Sequence, residues 1–178
     1  MTDIPLSASS LVALSPRALH ALRDRVGAQA LQEAGYAAGE ATFRAFSAWL
    51  PRAAGVDLPS DLAAPRLAEV LSQFFMSLGW GAVQVTSVGG AAVAVDAPNW
   101  AEAAPEARLP YPSCFFTAGL LADFMGRLAE ASLAVMEVEC RSKGDARCRW
   151  LVGAPETLAA LYEHMTQGED YLTVLSAR

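Results

Sequence analysis

The chain has 178 residues, 53% of them hydrophobic and 18% charged, which is one domain's length with ample apolar material for a core and excludes a disordered chain or a coiled coil. Its 13 Lys and Arg against 19 Asp and Glu leave a formal net charge of -6, so there is no basic footprint for nucleic acid or an anionic membrane. Apolar runs fall short of the roughly 20 residues that span a bilayer, and the opening MTDIPLSASS lacks a basic n-region, so a cytoplasmic protein without a secretory leader is expected.

Residues 1–15 are expected to form a flexible N-terminus. From Pro16 to about residue 34, Leu19, Leu22, Val26 and Leu31 recur at a loose helical period. After Gly35 a second amphipathic helix runs from Tyr36 to Leu50, where Pro51 stops the pattern. Residues 51–59 read as a connector, and Ser60 or Asp61 as the N-cap of a helix carrying Leu67, Val70, Leu71, Phe74, Phe75 and Leu78, closed by Gly79. From Trp80 the period becomes two, and Gly89-Gly90 separates Val83–Val88 from Ala91–Val95 as a hairpin. Residues 98–112, rich in Ala, Pro and Glu, read as a surface loop. Ser113 is the expected cap of a helix to about residue 130 whose Gly119, Ala122 and Gly126 suit close packing. Residues 133–140 and 148–152 are strands joined by RSKGDAR, and Pro155 opens a last helix to about Thr166, followed by a tail. Helices segregated from antiparallel strands argue for an α+β domain over 1–178, an antiparallel sheet of two hairpins covered by a layer of helices.

Three cysteines are too few for a disulfide scaffold, which leaves buried thiols or a metal site. Cys140 and Cys148 flank a seven-residue connection, and a hairpin brings its ends together. Cys114 lies near the start of a helix, where backbone N–H groups favour a thiolate. Three thiolates and one N or O donor suit tetrahedral Zn²⁺. Glu137, Glu139 or a water are candidates for the fourth position. In a regular strand Cys140 shares its face with Met136 and Val138, so Glu137 reaches the same ion only if the strand bends or bulges. Three buried free thiols, or a Cys140–Cys148 disulfide under oxidising conditions, are the alternatives.

The stretch from Glu137 through Cys140, Gly144-Asp145 and Cys148 to Trp150, preceded by Cys114-Phe-Phe-Thr-Ala-Gly119, resembles the signature of the 4-vinyl-reductase-like domain family. Gly35-Tyr36-Ala-Ala-Gly39 and Leu78-Gly79-Trp80-Gly81 add to the likeness, which covers roughly residues 30–155. Relatives of this kind include sensory domains of aromatic-responsive activators, an accessory protein of bacteriochlorophyll synthesis and Golgi tethering-complex subunits. The resemblance implies the ligand-binding fold of the NO-signalling and Golgi-transport type, an apolar cavity and often a homodimer. It also implies a structural zinc held by Cys114, Glu137, Cys140 and Cys148.

Most aromatic side chains at helical spacing are core. Given the implied cavity, Phe74, Trp80, Phe116 and Phe124 are the nominated ligand-facing residues. Phenol-sensing relatives hold the ligand hydroxyl with a histidine and a tryptophan, whereas the histidines here, His20 and His164, fall in the first and last predicted helices, so phenol itself is not supported. Gly89-Gly90 is a turn and not a phosphate cradle, and Ser113 has no adjacent base, so neither nucleotide-dependent nor nucleophilic chemistry has a seat. The leading expectation is a stand-alone, non-enzymatic sensor or carrier of an apolar small molecule, dimerising and signalling to a partner protein through its first two helices. The alternatives are a tetrapyrrole-handling factor or reductase-like protein of (bacterio)chlorophyll synthesis, and an assembly or tethering subunit.

Overall fold

The computed structural model describes residues 14–176. The expected flexible N-terminus falls outside the described residues up to residue 13; Ser15, its last residue, caps α1 (Pro16–Val26) by accepting the Ala18 N–H at 3.3 Å. The helix breaks earlier than its period suggests. Gly27, at φ +83° and with open space around its Cα, ends α1. The next helix, α2 (Ala28–Ala54), runs through both Gly35 and Pro51 to a left-handed Gly55. Gly35 is a contact residue rather than a terminator, and Pro51 sits so near the C-terminal end that it forfeits one helical hydrogen bond without stopping the chain.

The third helix, α3 (Ala64–Ser77), starts after a short 3-10 turn at Pro59–Asp61, so Ser60 and Asp61 are not its cap; Asp61 instead accepts the Leu58 N–H. Gly79 (φ +82°) closes it, as expected. Strands β1 (Gln84–Val88) and β2 (Ala92–Ala97) flank Gly89-Gly90, and β3 (Ala134–Glu139) and β4 (Cys148–Gly153) form the second hairpin. The sheet is antiparallel throughout, in the order β1-β2-β4-β3, which puts one strand of each hairpin at its centre. The α+β expectation therefore holds.

Helix α4 (Phe115–Ala129) has Cys114, not Ser113, at its N-cap position and a left-handed Glu130 at its end. It lies against α2 with the two backbones almost touching. A Cβ at Gly35 would fall inside the contact shell of the Phe116 carbonyl oxygen, and one at Gly119 inside that of Gln32. A third glycine, Gly39, leaves room for Asp123, whose Cβ would lie 2.5 Å from an added methyl. The small-residue stripe on α4 thus has its partner in α2. Helices α2, α3 and α4 cover one face of the sheet, burying Phe46, Phe74, Phe75 and Phe124 against Val95, Trp150 and Val152. Helix α5 (Pro155–Thr166) and a six-residue α6 (Tyr171–Ser176), which the sequence leaves in the tail, cover the other through Leu158, Leu161, Val174 and Leu175.

Residues 98–112 are not a surface loop. They form a strap in which Trp100 and Glu102 are 2% and 4% exposed, and Ala103 and Ala104 are also buried. Ser142 holds it, receiving the Ala104 N–H on its hydroxyl (2.9 Å) and the Leu109 N–H on its carbonyl (2.7 Å). The low periodicity of the segment reflects irregular backbone, and these tertiary bonds supply the partners its buried N–H groups require.

Candidate metal centre

The register of β3 on β4 passes from Glu137 opposite Trp150 to Glu139 opposite Arg149, leaving Val138 as one extra residue. Val138 packs into the α5–α6 side and Glu139 bonds Tyr171 and Arg147 on that side too, while Glu137 and Cys140 turn toward the helices. This is the bulge that a shared ion requires. Cys148, the first residue of β4, and Cys114, at the head of α4, complete the group. One donor atom from each of Cys114, Glu137, Cys140 and Cys148 lies within 4.8 Å of all the others. These four could hold a metal ion, whereas Glu139, the other open carboxylate, faces away.

All three cysteines are free and buried, with Cys114 Sγ 3.8 Å from both Cys140 Sγ and Cys148 Sγ, far beyond the disulfide bond length of about 2.05 Å. Glu137 Oε2 accepts the Cys114 N–H at 2.8 Å, and its Oε1 is buried with no partner. The hairpin loop is wrapped around Cys140: Asp145 accepts its N–H (2.8 Å), and the N–H groups of Lys143 and Asp145 donate to its carbonyl (2.9 and 3.2 Å). Ser113 Oγ lies 4.0 Å from Cys140 Sγ.

Without an ion the cluster shares its protons unevenly. Contacts from Cys114 and Cys148 lower the Cys140 thiol, so the negative charge settles there. Contacts with Cys140 and Cys148, then burial, raise Cys114. Contact with Cys114 pulls Cys148 down, but Cys140 and burial outweigh it and raise that thiol. Burial and the Cys140 charge push Glu137 up to about 9.

The nominated aromatic residues belong to one run of rings. Phe74 and Phe124 are fully buried and stack at 6.3 Å, with Phe46 and Phe75 edge-on or tilted around them at 5.1 to 5.6 Å. Trp80 and Phe116 are half-buried and stack at 6.0 Å; Trp80 stacks on Trp100 at 5.4 Å, which in turn meets Phe75 and Trp150 edge to face. Trp100 thus links the outer pair to the buried rings.

Glu102 escapes sequence reasoning. Reaching from the strap, it accepts the N–H groups of Phe116 (3.0 Å) and Thr117 (2.8 Å) and the Thr117 hydroxyl (2.5 Å), so it caps α4 from a distant segment. Trp100 Nε1 donates to the same hydroxyl at 2.6 Å, and His20 Nε2 lies 3.0 Å from the Glu102 carbonyl. Burial outweighs these hydrogen bonds and pushes the carboxyl from 4.5 up to about 7. The only signal available beforehand is an acidic residue two places after a tryptophan in an otherwise bland loop. His164 pairs with exposed Glu169 at 2.8 Å, away from the cysteines.

Residues 96–154 match the family model of the 4-vinyl-reductase (V-4-R) domain, in agreement with the resemblance carried by the cysteine motif. The crystal structure of the phenol-responsive sensory domain of the transcription activator PoxR with phenol has a similar fold, with a TM-score of 0.56 and 18% identity over 82% of this chain and 77% of that one. A vinyl-4-reductase family protein from Methanocaldococcus jannaschii aligns at a TM-score of 0.47 and 18% identity, over 85% of this chain and 82% of that one. No curated protein matches the sequence.

Proposed function

We propose, from the family match over residues 96–154 and a fold shared with a phenol-responsive sensory domain, that this chain is a small-molecule-binding sensor or carrier domain for an apolar ligand, braced by a structural zinc ion. Cys114, Glu137, Cys140 and Cys148 would hold the ion. The observation that carries the metal is Glu137 Oε1, a buried acceptor with no partner beside three thiols. Two sulfurs bound at about 2.3 Å to one tetrahedral ion stand about 3.8 Å apart, which is the separation of Cys114 from each of the other two. Three soft thiolates with one carboxylate favour Zn²⁺ over a harder cation. Four protein donors leave no position for a catalytic water, so the ion would supply cross-linking rather than chemistry. It would tie the head of α4 to the second hairpin, fixing the wall that carries Phe116 and Trp150.

The run of rings from Trp80 and Phe116 to Phe74 and Phe124 is the seat for the ligand, which would gain about 25 cal/mol for each Å² of apolar surface it buries. The half-buried outer pair is its way in. Output would pass through a second copy or a partner protein at α1 and α2, where Leu22, Val26 and Tyr36 are exposed. Among the described residues no helix is long and apolar enough to cross a membrane.

Native mass spectrometry with metal analysis tests the metal: one zinc per chain is expected, and Cys148→Ser loses both the ion and the folded state, because binding and folding are coupled. Unchanged melting after strong chelation would sink it. Toluene and related aromatics should quench or shift tryptophan fluorescence in a saturable way; no response to any of them would sink the ligand-binding half.

A further inference from the structure

We propose that Trp150 determines which ligand this domain accepts, its indole N–H taking the acceptor oxygen of a neutral aromatic guest. The inference rests on the ligand-binding reading above. Trp150 is fully buried in the middle of the sheet, with Val95 of β2 on one side and Glu137 of β3 on the other, and its ring meets Trp100 edge to face at 5.4 Å. Its Nε1 is buried with no hydrogen-bond partner. The adjoining Trp100 differs, since its Nε1 is already committed to Thr117 at 2.6 Å. A buried donor left unmet costs about 1–3 kcal/mol, and buried indoles ordinarily find an acceptor. The other orphan in this row, Glu137 Oε1, is an acceptor that a metal can satisfy. A donor N–H cannot ligate a metal, so the Trp150 orphan needs a different explanation, and it sits in the ring cluster where a guest would lodge.

The surrounding charge narrows the guest further. Glu137 and the thiols lie on this side of the sheet, and Glu102 is close enough to Cys140 for the two to repel. The cations of the same strand region, Arg147 and Arg149, are on the opposite face, engaged with Asp96 and Glu139. An aromatic carboxylate would therefore enter a negative, desolvated site with no counter-ion. Glu102, the nearby carboxylate that could accept a hydroxyl proton from a guest, already receives three donors. The guest class that fits is a neutral ring bearing an acceptor oxygen, such as an aryl ether or ketone, with no hydroxyl of its own required.

The test is titration of the zinc-loaded protein with anisole, toluene and benzoate, following affinity and the ¹⁵N–¹H indole signal of Trp150, assigned through its contacts to Val95. A single neutral hydrogen bond predicts that anisole binds about three- to tenfold more tightly than toluene. It should move the Trp150 indole signal, and benzoate should bind more weakly than either. Trp150→Phe should keep toluene affinity and lose the preference for anisole. If that variant does not fold, the indole signal of the unsubstituted protein decides alone. Equal affinities for anisole and toluene with an unmoved Trp150 signal overturn this inference but leave the ligand-binding reading standing. Failure of all three compounds to bind overturns both.

Discussion

Glu102 makes the stability of this domain fall as pH rises through neutrality. In the unfolded chain its carboxyl titrates near 4.5, whereas burial holds it near 7 in the folded protein. Between those values the folded state binds a proton that the unfolded state does not, so its contribution is complete below 4.5 and lost above 7. The whole displacement corresponds to about 3 kcal/mol, and the part lost between pH 6 and pH 8 comes to about 1.3 kcal/mol by proton linkage. Urea unfolding of the zinc-loaded protein at the two pH values measures it. With slopes of about 1–3 kcal/mol per molar urea, the midpoint should fall by about 0.4 to 1.3 M on going to pH 8. Glu102→Gln, neutral throughout, should remove that component, so the comparison with the variant isolates Glu102 from the metal ligands and from His20 at its carbonyl. Parallel pH curves for the two proteins would refute the reasoning.

Three further outcomes follow from the packing and the cluster. Gly119→Ala places a methyl against the Gln32 carbonyl and must push α2 from α4, at a cost of about 1–3 kcal/mol; an unchanged thermal midpoint would contradict the close approach. Zinc uptake by the metal-free protein at neutral pH should release about three protons, from Glu137, Cys114 and Cys148, because all three are raised while Cys140 is lowered. Calorimetry in buffers of different ionisation enthalpy counts them, and one proton or none would show that the charge assignment is wrong. Asp96→Asn strips Arg149 of a two-pronged partner held at 2.6 Å through both nitrogens, and both side chains are nearly buried. A loss of about 3–5 kcal/mol is expected in urea unfolding, and a loss under about 1 kcal/mol would mean the pair is effectively solvated.

The strands, the helices from α3 to α5 and the cysteine–carboxylate group were legible because each depends on spacing alone: alternation around Gly89-Gly90, apolar steps from Leu67 to Leu78, a hairpin between Cys140 and Cys148. Local pattern could state the condition for Glu137 to join Cys140, a bulge, but not that one is present, since Val138 is surplus only relative to β4. The glycines misled for a similar reason. Gly27 and Gly35 look alike in a helical pattern, yet one is needed for positive φ and the other for the carbonyl of Phe116, a residue far along the chain. The burial of Trp100 and Glu102 is set by Thr117 and Ser142 rather than by any period in the strap. Helix α6 is six residues long, too short for periodicity, and is started by Asp170 accepting the Thr173 N–H.

Because α2 and α4 meet main chain to main chain at Gly35 and Gly119, neither can slide along or draw back from the other without opening a gap along their whole seam. They behave as one rigid spar. Any room made for an incoming molecule must come from the opposite bank, where α3 and the Trp100 strap rest on side chains that can rotate. Movement on occupancy should therefore be sought around Trp80 and Trp100, with the paired helices as the fixed frame against which it is measured.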